Sequence, residues 1–284
     1  MLAIDGLTIA FPAGDGEVDV VRGASLTVGP GEVVGLVGES GSGKTMTALA
    51  VLRLVPPPGR IVAGSIRVGG DNVLALPERA LRRLRGGRVG MVFQEPAAAL
   101  DPVFTVGFQL AETIRAHHDV TRRAARQRAE ELLALVAIPE PRRRLDAYPP
   151  QLSGGQRQRV MIALALAAEP SLLLADEPTT ALDVTLQAQV LELLLSLRDR
   201  LGLGILLVTH DLAVVAATCD RVTVMYCGEV VEEAPTATLF AHPAHPYTQG
   251  LLAAVPRVAV PTEAAVHEVL PPGEMPSPRT PPPG

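Results

Sequence analysis

The segment at residues 38–45 constrains the fold of this chain more than any other. Its sequence, Gly-Glu-Ser-Gly-Ser-Gly-Lys-Thr, has the Gly-x-x-x-x-Gly-Lys-Ser/Thr spacing of a loop that cradles phosphate groups. The apolar residues 33–37 before it predict a buried strand, and residues 45–54 after it predict a helix. In this order of elements the backbone amides and the helix N-terminus face an anion. The loop residues expected to bind nucleotide are Gly38, Glu39, Ser40, Gly41, Ser42, Gly43, Lys44 and Thr45.

Lys44 is the only lysine among 25 lysine and arginine residues. Arginine serves for salt bridges and solvated faces, but its planar fork is too large to replace a compact ammonium between the terminal phosphates of a nucleotide. The single lysine therefore indicates a site, and the Thr45 hydroxyl beside it is suited to the magnesium ion that accompanies a nucleotide. The alternative, a chance match to the eight-residue pattern, does not account for the strand and helix on either side.

Composition limits the classes of partner. The net charge is −5 and aromatic residues make up 3% of the chain, so nucleic acid is not expected as a partner. The arginine clusters are interpreted as solvated helix faces rather than a basic patch, because acidic residues lie among them. No apolar stretch reaches the roughly twenty residues of a bilayer span, and the first residues lack a secretory pattern. We expect a cytoplasmic protein whose two cysteines, Cys219 and Cys227, are buried thiols.

Strand and helix patterns alternate along the chain. The predicted strands cover residues 7–11, 24–28, 33–37, 65–68, 89–93, 172–175, 205–209 and 222–226. Long helical patterns occupy residues 100–168, for example at 121–136, and a further helix is predicted from Asp183 to Gly202. Cys227-Gly228 predicts the turn of a closing hairpin.

These patterns predict an α/β fold with an inserted helical subdomain. The nucleotide-binding core is expected at residues 1–97 and 169–235, and the helical subdomain at 98–168. Residues 236–284 form a C-terminal extension. Proline makes up half of its last part, from about residue 271, so this end is predicted to be extended or disordered.

Two adjacent carboxylates, Asp176 and Glu177, follow the apolar strand at residues 172–175. In a parallel sheet such a strand delivers its C-terminal acid to the metal. Asp176 is therefore predicted to hold magnesium through water, and Glu177 to reach the water that attacks the γ-phosphate. The alternative is a helix N-cap acid beside a solvent-exposed acid, which the buried run and the following Pro178 disfavour.

The segment Ser153-Gly154-Gly155-Gln156 predicts a helix start. Ser153 and Gln156 have the spacing of a capping box, and the glycines between them expose the backbone to an anion near the helix dipole. Together with the phosphate loop and the Asp176-Glu177 pair, this segment resembles the signature of the ATP-binding-cassette (ABC) ATPase family. The resemblance covers the chain to about Pro256. It implies a phosphate-loop NTPase cassette, with a RecA-like core, an antiparallel β subdomain and the inserted α-helical subdomain.

The resemblance assigns further roles by local match. Gln94 resembles the glutamine that contacts magnesium and the attacking water and senses the membrane subunit. Asp183, in Ala181-Leu182-Asp183, resembles the loop that touches the opposite subunit and also serves as a helix N-cap. His210, directly after a predicted strand, resembles the switch histidine that contacts the γ-phosphate, with a purely structural histidine as the alternative.

The family also places an aromatic ring on adenine. Phe11 is the only aromatic residue before Phe93, which makes it the candidate. A core phenylalanine at the end of its strand is the alternative, because the spacing from Phe11 to Lys44 is longer than expected.

Several segments are similar to ATP-binding subunits of bacterial dipeptide and oligopeptide importers. They cover residues 93–96, 99–102, 148–153, 176–185 and 242–248. The last, His-Pro-Ala-His-Pro-Tyr-Thr, is the most telling because ATP chemistry does not demand it. The Thr179-Thr180 pair resembles the first, D-type, of the two unequal ATPase subunits in such importers. Members of this subfamily commonly carry several cysteines further on, and some bind an iron–sulfur cluster there. Since no cysteine follows Cys227, we expect no cluster.

The resemblance implies an ATP- and Mg²⁺-dependent ATPase that energises peptide import at the cytoplasmic face of the inner membrane. In this family ATP lies between two cassettes, and the chain contains one cassette with no internal repeat. The implied partners are a second, related cassette, two membrane-spanning permease subunits and an extracytoplasmic solute-binding protein. The alternatives are an importer subunit for nickel or another small solute, and a soluble ABC ATPase outside transport. A phosphate-loop kinase or GTPase is excluded, because the only lysine leaves no Asn-Lys-x-Asp guanine motif and the Ser-Gly-Gly-Gln helix has no use in either class.

Overall fold

A computed structural model describes residues 1–14, 16–95, 99–180 and 182–254. These residues form two compact units. The first unit comprises Met1–Leu2, Val28–Glu32 and Arg67–Leu207, and the second comprises Ala3–Thr27, Val33–Ile66 and the chain from Val208. The proline-rich end, for which an extended chain is predicted, lies outside the described residues. No helix in the described ranges is long and apolar enough to cross a membrane.

The second unit contains the phosphate loop between a buried strand and a helix. Strand β3 (Val33–Val37) is buried at every position, and helix α1 (Lys44–Val51) begins at the end of the loop. β3 pairs in parallel with β9 (Arg221–Tyr226), and β9 pairs antiparallel with β10 (Glu229–Pro235). The strand–loop–helix order predicted from the sequence is confirmed.

A two-residue turn joins β9 to β10. Both turn residues have positive φ, 47° at Cys227 and 89° at Gly228. A tight hairpin needs this conformation because its twist then matches that of the strands. The predicted hairpin is therefore confirmed. Both cysteines are buried free thiols, and burial raises the pKa of Cys219 to about 12, so this side chain stays protonated at neutral pH.

Three strands of the second unit are longer than their sequence patterns indicate. β1 (Leu2–Ala13) lies between β2 (Gly16–Val28) and β4 (Arg60–Val68). Only the last five residues of β2 and the last four of β4 were expected to be extended. The earlier residues are mostly exposed in β4 and mostly half-buried in β2, and charged residues or glycine interrupt their apolar pattern.

The remaining helices of the second unit are short. They are α8 (Leu212–Thr218), α9 (Thr236–Ala241) and α10 (Pro246–Ala253). α1 ends three residues before its predicted end, and Arg53 has left the helical region with φ of 51°.

The first unit has a parallel strand pair at its core. β6 (Val89–Val92) pairs with β7 (Leu172–Asp176) in register from Val89 opposite Leu172 to Val92 opposite Ala175. Both strands are buried at every position, as parallel strands usually are. In the same unit β5 (Asp71–Asn72) pairs antiparallel with the end of β4, and β8 (Gly204–Thr209) begins there.

Helices dominate the rest of the first unit. They are α2 (Glu78–Gly87), α3 (Val106–His117), α4 (Arg122–Leu135), α5 (Pro141–Arg144), α6 (Gly154–Leu166) and α7 (Val184–Leu201). α3 packs on α4, and both contact α6. The Thr105 and Thr121 side chains cap α3 and α4 by accepting hydrogen bonds from backbone amides. The helical region expected between residues 100 and 168 is confirmed.

Gly90 allows α6 to approach β6 closely. A Cβ atom at Gly90 would lie 2.3 Å from the carbonyl oxygen of Ala165 in α6. Real contacts of this kind are not that short, so a side chain would force the strand and the helix apart. The contact therefore fixes the helix that begins after Ser153 against the strand that precedes Gln94.

We predict that Gly90→Ala lowers the free energy of unfolding by about 1–3 kcal/mol, because the added methyl group overpacks this contact. The matched control is Gly250→Ala in α10, where a Cβ would meet nothing within 4 Å. That change should be neutral or stabilise the protein by up to about 1 kcal/mol, since alanine favours helix. Urea unfolding of both variants measures the difference. Equal stability of the two variants would contradict the packing account.

Candidate functional site

The Lys44 ammonium is held inside the phosphate loop. Its Nζ atom donates hydrogen bonds to the carbonyl oxygens of Gly38 and Glu39, both at 2.7 Å, and to Ser42 Oγ at 3.3 Å. The Lys44 side chain is buried, with only 5% of the residue exposed. The loop therefore curls around the ammonium and keeps this positive charge at the start of α1, where a helix N-terminus also favours an anion.

Two glycines of the loop occupy positions that no other residue can fill. Gly38 has φ of 151°, and a Cβ there would lie 2.2 Å from the carbonyl oxygen of Met225. Gly43 precedes α1 with φ of 101°, and a Cβ there would lie 2.6 Å from the carbonyl oxygen of Val20. The glycine spacing of the motif thus reflects close backbone packing as well as backbone freedom.

The C-terminal segment at residues 242–248 reaches the phosphate loop. The Glu39 amide donates a hydrogen bond to Tyr247 Oη at 3.0 Å, and the Tyr247 ring lies 4.3 Å from that of Tyr226. Burial raises the pKa of Tyr247 to about 12, so its hydroxyl is neutral at neutral pH. The sequence of this segment is typical of a subfamily and does not indicate the contact. No local pattern could reveal it, because the two residues are 208 positions apart.

Phe11 and His210 also lie in the second unit. Phe11 is half-buried near the end of β1, and its ring lies against Gly59, where an added Cβ would be 2.3 Å from Phe11 Cζ. This contact is compatible with either predicted role of Phe11, which stays a prediction. His210 is exposed directly after β8, as expected from the sequence. The next residue, Asp211, caps α8 through its side chain.

In the first unit the structure brings Gln94 and Glu177 together. β6 ends at Val92, so Gln94 lies in the loop that follows it. Gln94 Nε2 donates to Glu177 Oε2 at 3.1 Å, and Thr180 Oγ1 donates to the same oxygen at 2.9 Å. The sequence reasoning predicted both Gln94 and Glu177 but missed Thr180. A hydroxyl three residues after the acid was the available signal.

Asp176 and Glu177 differ sharply in their surroundings. Asp176 is the last residue of β7 and is 3% exposed, whereas Glu177 is half-buried with φ of 45°. A positive φ costs a residue other than glycine about 1–3 kcal/mol, so its surroundings must hold Glu177 in place. Neither acid caps the next helix, because Asp183 does so by accepting from the Leu186 amide at 2.9 Å. The N-cap alternative for the acid pair is therefore wrong.

The helix after Ser153 begins as predicted. Ser153 Oγ accepts from the Gln156 amide, and Gln156 Oε1 accepts from the Ser153 amide, which completes a capping box. The two glycines between them have different surroundings. Gly154 is exposed, whereas Gly155 is buried, and a Cβ there would lie 3.0 Å from Leu186 of α7.

α6 and α7 both hold the loop that follows Glu177. Gln158 of α6, which is 2% exposed, donates to the carbonyl oxygen of Pro178 at 2.5 Å. Gln187 of α7 donates to the carbonyl oxygen of Thr179 at 3.2 Å. Ala181, which belongs to the predicted subunit-contact loop, and Pro96 lie outside the described residues. The first unit thus fixes the backbone after its acid pair through buried or half-buried amide side chains.

Comparisons with known proteins agree with this arrangement. A family model described as ABC transporter matches residues 21–180, and one described as oligopeptide/dipeptide transporter, C-terminal region, matches residues 231–284. The chain is 45% identical to an oligopeptide transport ATP-binding protein, OppD, of Bacillus subtilis, covering 100% of this chain and 79% of the relative. It is 48% identical to a dipeptide transport ATP-binding protein, DppD, of Haemophilus influenzae, covering 91% and 78%.

The fold of this chain is similar to those of solved ATP-binding cassettes. An ATP-binding cassette solved as a dimer in a post-hydrolysis state, bound to ADP and Pi, is 30% identical with a TM-score of 0.74. The match covers 83% of this chain and 99% of that structure. The predicted α/β cassette with an inserted helical part is therefore confirmed. This chain therefore belongs to the ABC transporter family, as its phosphate loop, its fold and its similarity to known sequences all show.

Proposed function

We propose that this chain is the ATP-hydrolysing subunit of a bacterial importer for dipeptides or oligopeptides. The observation that carries the solute class is the match of residues 231–284 to the oligopeptide/dipeptide C-terminal region. Relatives named for dipeptide and oligopeptide transport support it. The described part of that region includes Tyr247, which is bonded to the phosphate loop, so the subfamily segment belongs to the nucleotide-binding unit.

The phosphate loop is the proposed binding site for the ATP phosphates. Lys44 is held among carbonyl oxygens that leave its charge intact, and it can extend from them to the terminal phosphates. Ser153, Gly154, Gly155 and Gln156 are proposed to meet the nucleotide bound by the opposite cassette. The exposed backbone at Gly154 supports this role, because it leaves the start of α6 open to an anion.

Mg²⁺ is proposed to be held by the Thr45 hydroxyl, by the Gln94 amide oxygen and, through water, by the Asp176 carboxylate. Such hard donors suit this ion. The hydrogen bond from Gln94 Nε2 to Glu177 fits the assignment, because the amide oxygen of Gln94 is then the atom left to act as a ligand. When bound, the ion neutralises charge on the β- and γ-phosphates.

Glu177 is proposed to accept a proton from the attacking water. The water oxygen then bonds to the γ-phosphorus while the bond to the β-phosphate oxygen breaks, giving ADP and inorganic phosphate. Gln94 and Thr180 both donate to Oε2, which orients the carboxylate. His210 is proposed to contact the γ-phosphate.

We propose that the chain works beside a second, related cassette, with Asp183 near the contact between them. Two permease subunits and an extracytoplasmic binding protein complete the proposed importer, which places this chain at the cytoplasmic face of the inner membrane. An exposed apolar cluster supports a permease contact. It consists of Val103, which is 69% exposed, and the rings of Phe104 and Phe108, whose centroids are 4.7 Å apart.

We propose the domain boundaries that the sequence predicts. The nucleotide-binding core comprises residues 1–97 and 169–235, the helical subdomain comprises 98–168, and the C-terminal extension comprises 236–284.

The proposed solute is tested by uptake in a bacterium whose own copy of the chain is deleted. Wild-type protein should restore uptake of a radiolabelled dipeptide or tripeptide, and Glu177→Gln should not. Uptake of labelled nickel is measured in parallel. Restored nickel uptake without restored peptide uptake would overturn the proposed solute.

We expect Lys44→Arg to reduce ATP hydrolysis in the assembled transporter about a hundredfold, a loss of about 3 kcal/mol of transition-state stabilisation. The guanidinium cannot occupy the space of the compact ammonium between the loop carbonyls. The matched control is Arg123→Lys, the reverse change on an exposed part of α4, which should hydrolyse ATP normally. Wild-type turnover by Lys44→Arg would refute the assigned role.

Glu177→Gln and Asp176→Asn should fail in different ways. The first keeps the size and hydrogen bonding of Glu177 but removes the base, so ATP binds and two cassettes stay closed around it. The second weakens Mg²⁺ and nucleotide binding and should trap no closed pair. Size-exclusion of the chain with its partner cassette, with and without Mg-ATP, measures retained nucleotide per pair. Normal turnover by the Glu177→Gln pair, or full turnover by the wild-type chain alone at dilution, would contradict the two-cassette reaction.

If Phe11 stacks on adenine, Phe11→Ala should weaken ATP binding by about 1–2 kcal/mol and Phe11→Tyr should be nearly neutral. Binding of a fluorescent ATP analogue and the melting temperature are measured for both. A lower melting temperature with unchanged ATP affinity would assign Phe11 to packing against Gly59 instead.

A further inference from the structure

A single peptide group at the start of the phosphate loop is held from both sides. Its carbonyl, that of Gly38, accepts a hydrogen bond from Lys44 Nζ at 2.7 Å. Its amide, that of Glu39, donates to Tyr247 Oη at 3.0 Å. Rotation of this peptide would break both bonds at once. We propose that Tyr247 is a positioning residue for the phosphate loop, through which the C-terminal segment at residues 242–248 sets the loop geometry needed to bind ATP.

Tyr247 is itself held by the segment that precedes it. His245 Nδ1 accepts from the Tyr247 amide at 3.1 Å and so caps α10. The Glu232 carboxylate on β10 accepts from the Ala244 and His245 amides at 2.8 and 3.0 Å. Burial acts to raise the pKa of Glu232, but the amide hydrogen bonds, together with the Thr248 and His245 side chains, outweigh it and the pKa is lowered, so this carboxylate is charged at neutral pH. The Tyr247 backbone is thereby tied to β10.

The Tyr247 ring is fixed by a second contact. It lies 4.3 Å from the ring of Tyr226, the last residue of β9. The residue before Tyr226, Met225, is the one whose carbonyl oxygen closely approaches Gly38. The end of β9 and the start of α10 therefore both bear on the Gly38–Glu39 peptide. A neutral hydroxyl can accept from a backbone amide, so the Tyr247 hydroxyl is the acceptor, and the tilted contact with the Tyr226 ring holds it in place.

This inference rests on the proposed nucleotide role of the loop. It goes beyond that role, because the phosphate motif carries its own lysine and glycines and does not itself call for a tyrosine some two hundred residues away. In this chain, the Gly38 carbonyl that accepts from Lys44 belongs to the same peptide group as the Glu39 amide. Its orientation therefore depends on the hydrogen bond from that amide to Tyr247. Loss of the Tyr247 hydroxyl should therefore disturb Lys44.

Tyr247→Phe tests the proposal, because it removes the hydroxyl and keeps the ring. The matched control is Tyr226→Phe, the same change in the neighbouring ring. Lys44 is the only lysine, so the rate at which an amine-acylating reagent labels it reports on the loop, with the N-terminal amine of the same molecule as reference. The full chain is used at fixed pH without nucleotide. ATP affinity is measured separately with Mg-ATP, and folding by melting temperature.

We expect Tyr247→Phe to raise the Lys44 labelling rate, relative to the N-terminus, about threefold or more and to weaken Mg-ATP binding about three- to tenfold, the effect of losing one hydrogen bond. Tyr226→Phe should leave both values near wild type. An unchanged Lys44 labelling rate in Tyr247→Phe would overturn the proposal. Equal changes in both variants would also overturn it, because the effect would then come from the pair of rings and not from the Tyr247 hydroxyl. Failure of the wild-type chain to bind Mg-ATP would instead overturn the proposed function.

Discussion

The hydrogen bonds from Lys44 to the carbonyl oxygens of Gly38 and Glu39 are the constraint on which the phosphate loop depends. They bury a charged ammonium at the start of α1 and require the loop carbonyls to turn inward. That turn needs backbone angles and close contacts that glycine alone tolerates at Gly38 and Gly43. The motif spacing thus reflects one arrangement, in which the loop backbone surrounds the charge that is proposed to bind phosphate.

In the first unit, neighbouring side chains similarly hold Glu177 of the acid pair in place. Glu177 occupies a left-handed conformation directly after a buried strand, and Gln94 and Thr180 hold its carboxylate. The following backbone is fixed by Gln158, which belongs to the helix that begins after Ser153. A shift of α6 would therefore move the loop beside Glu177. In the proposed two-cassette arrangement, this connection within one chain gives a physical route from the start of α6 to Glu177, the proposed base.

The sequence predicts those parts of the molecule that depend on local chemistry. The strand before the loop, the capping box at Ser153, the Asp183 cap and the Cys227-Gly228 hairpin follow from neighbouring residues and are confirmed. The earlier parts of β2 and β4 were missed because charged residues and glycine interrupt their apolar pattern. Tyr247 was missed because its partner, the Glu39 amide, lies 208 positions away, whereas Thr180 was missed although Glu177 lies only three positions before it. The family match confirms the fold and the ABC assignment, and the roles of the individual site residues stay proposals.

Protection of Lys44 by nucleotide tests the central claim most directly. The purified chain offers an acylating reagent one lysine and the N-terminal amine, so mass spectrometry can follow the two sites in the same molecule. If the ATP phosphates bind at Lys44, Mg-ATP should slow acylation of Lys44 and leave the N-terminal amine unaffected. Acylation of Lys44 at the same rate with and without saturating Mg-ATP would contradict the account.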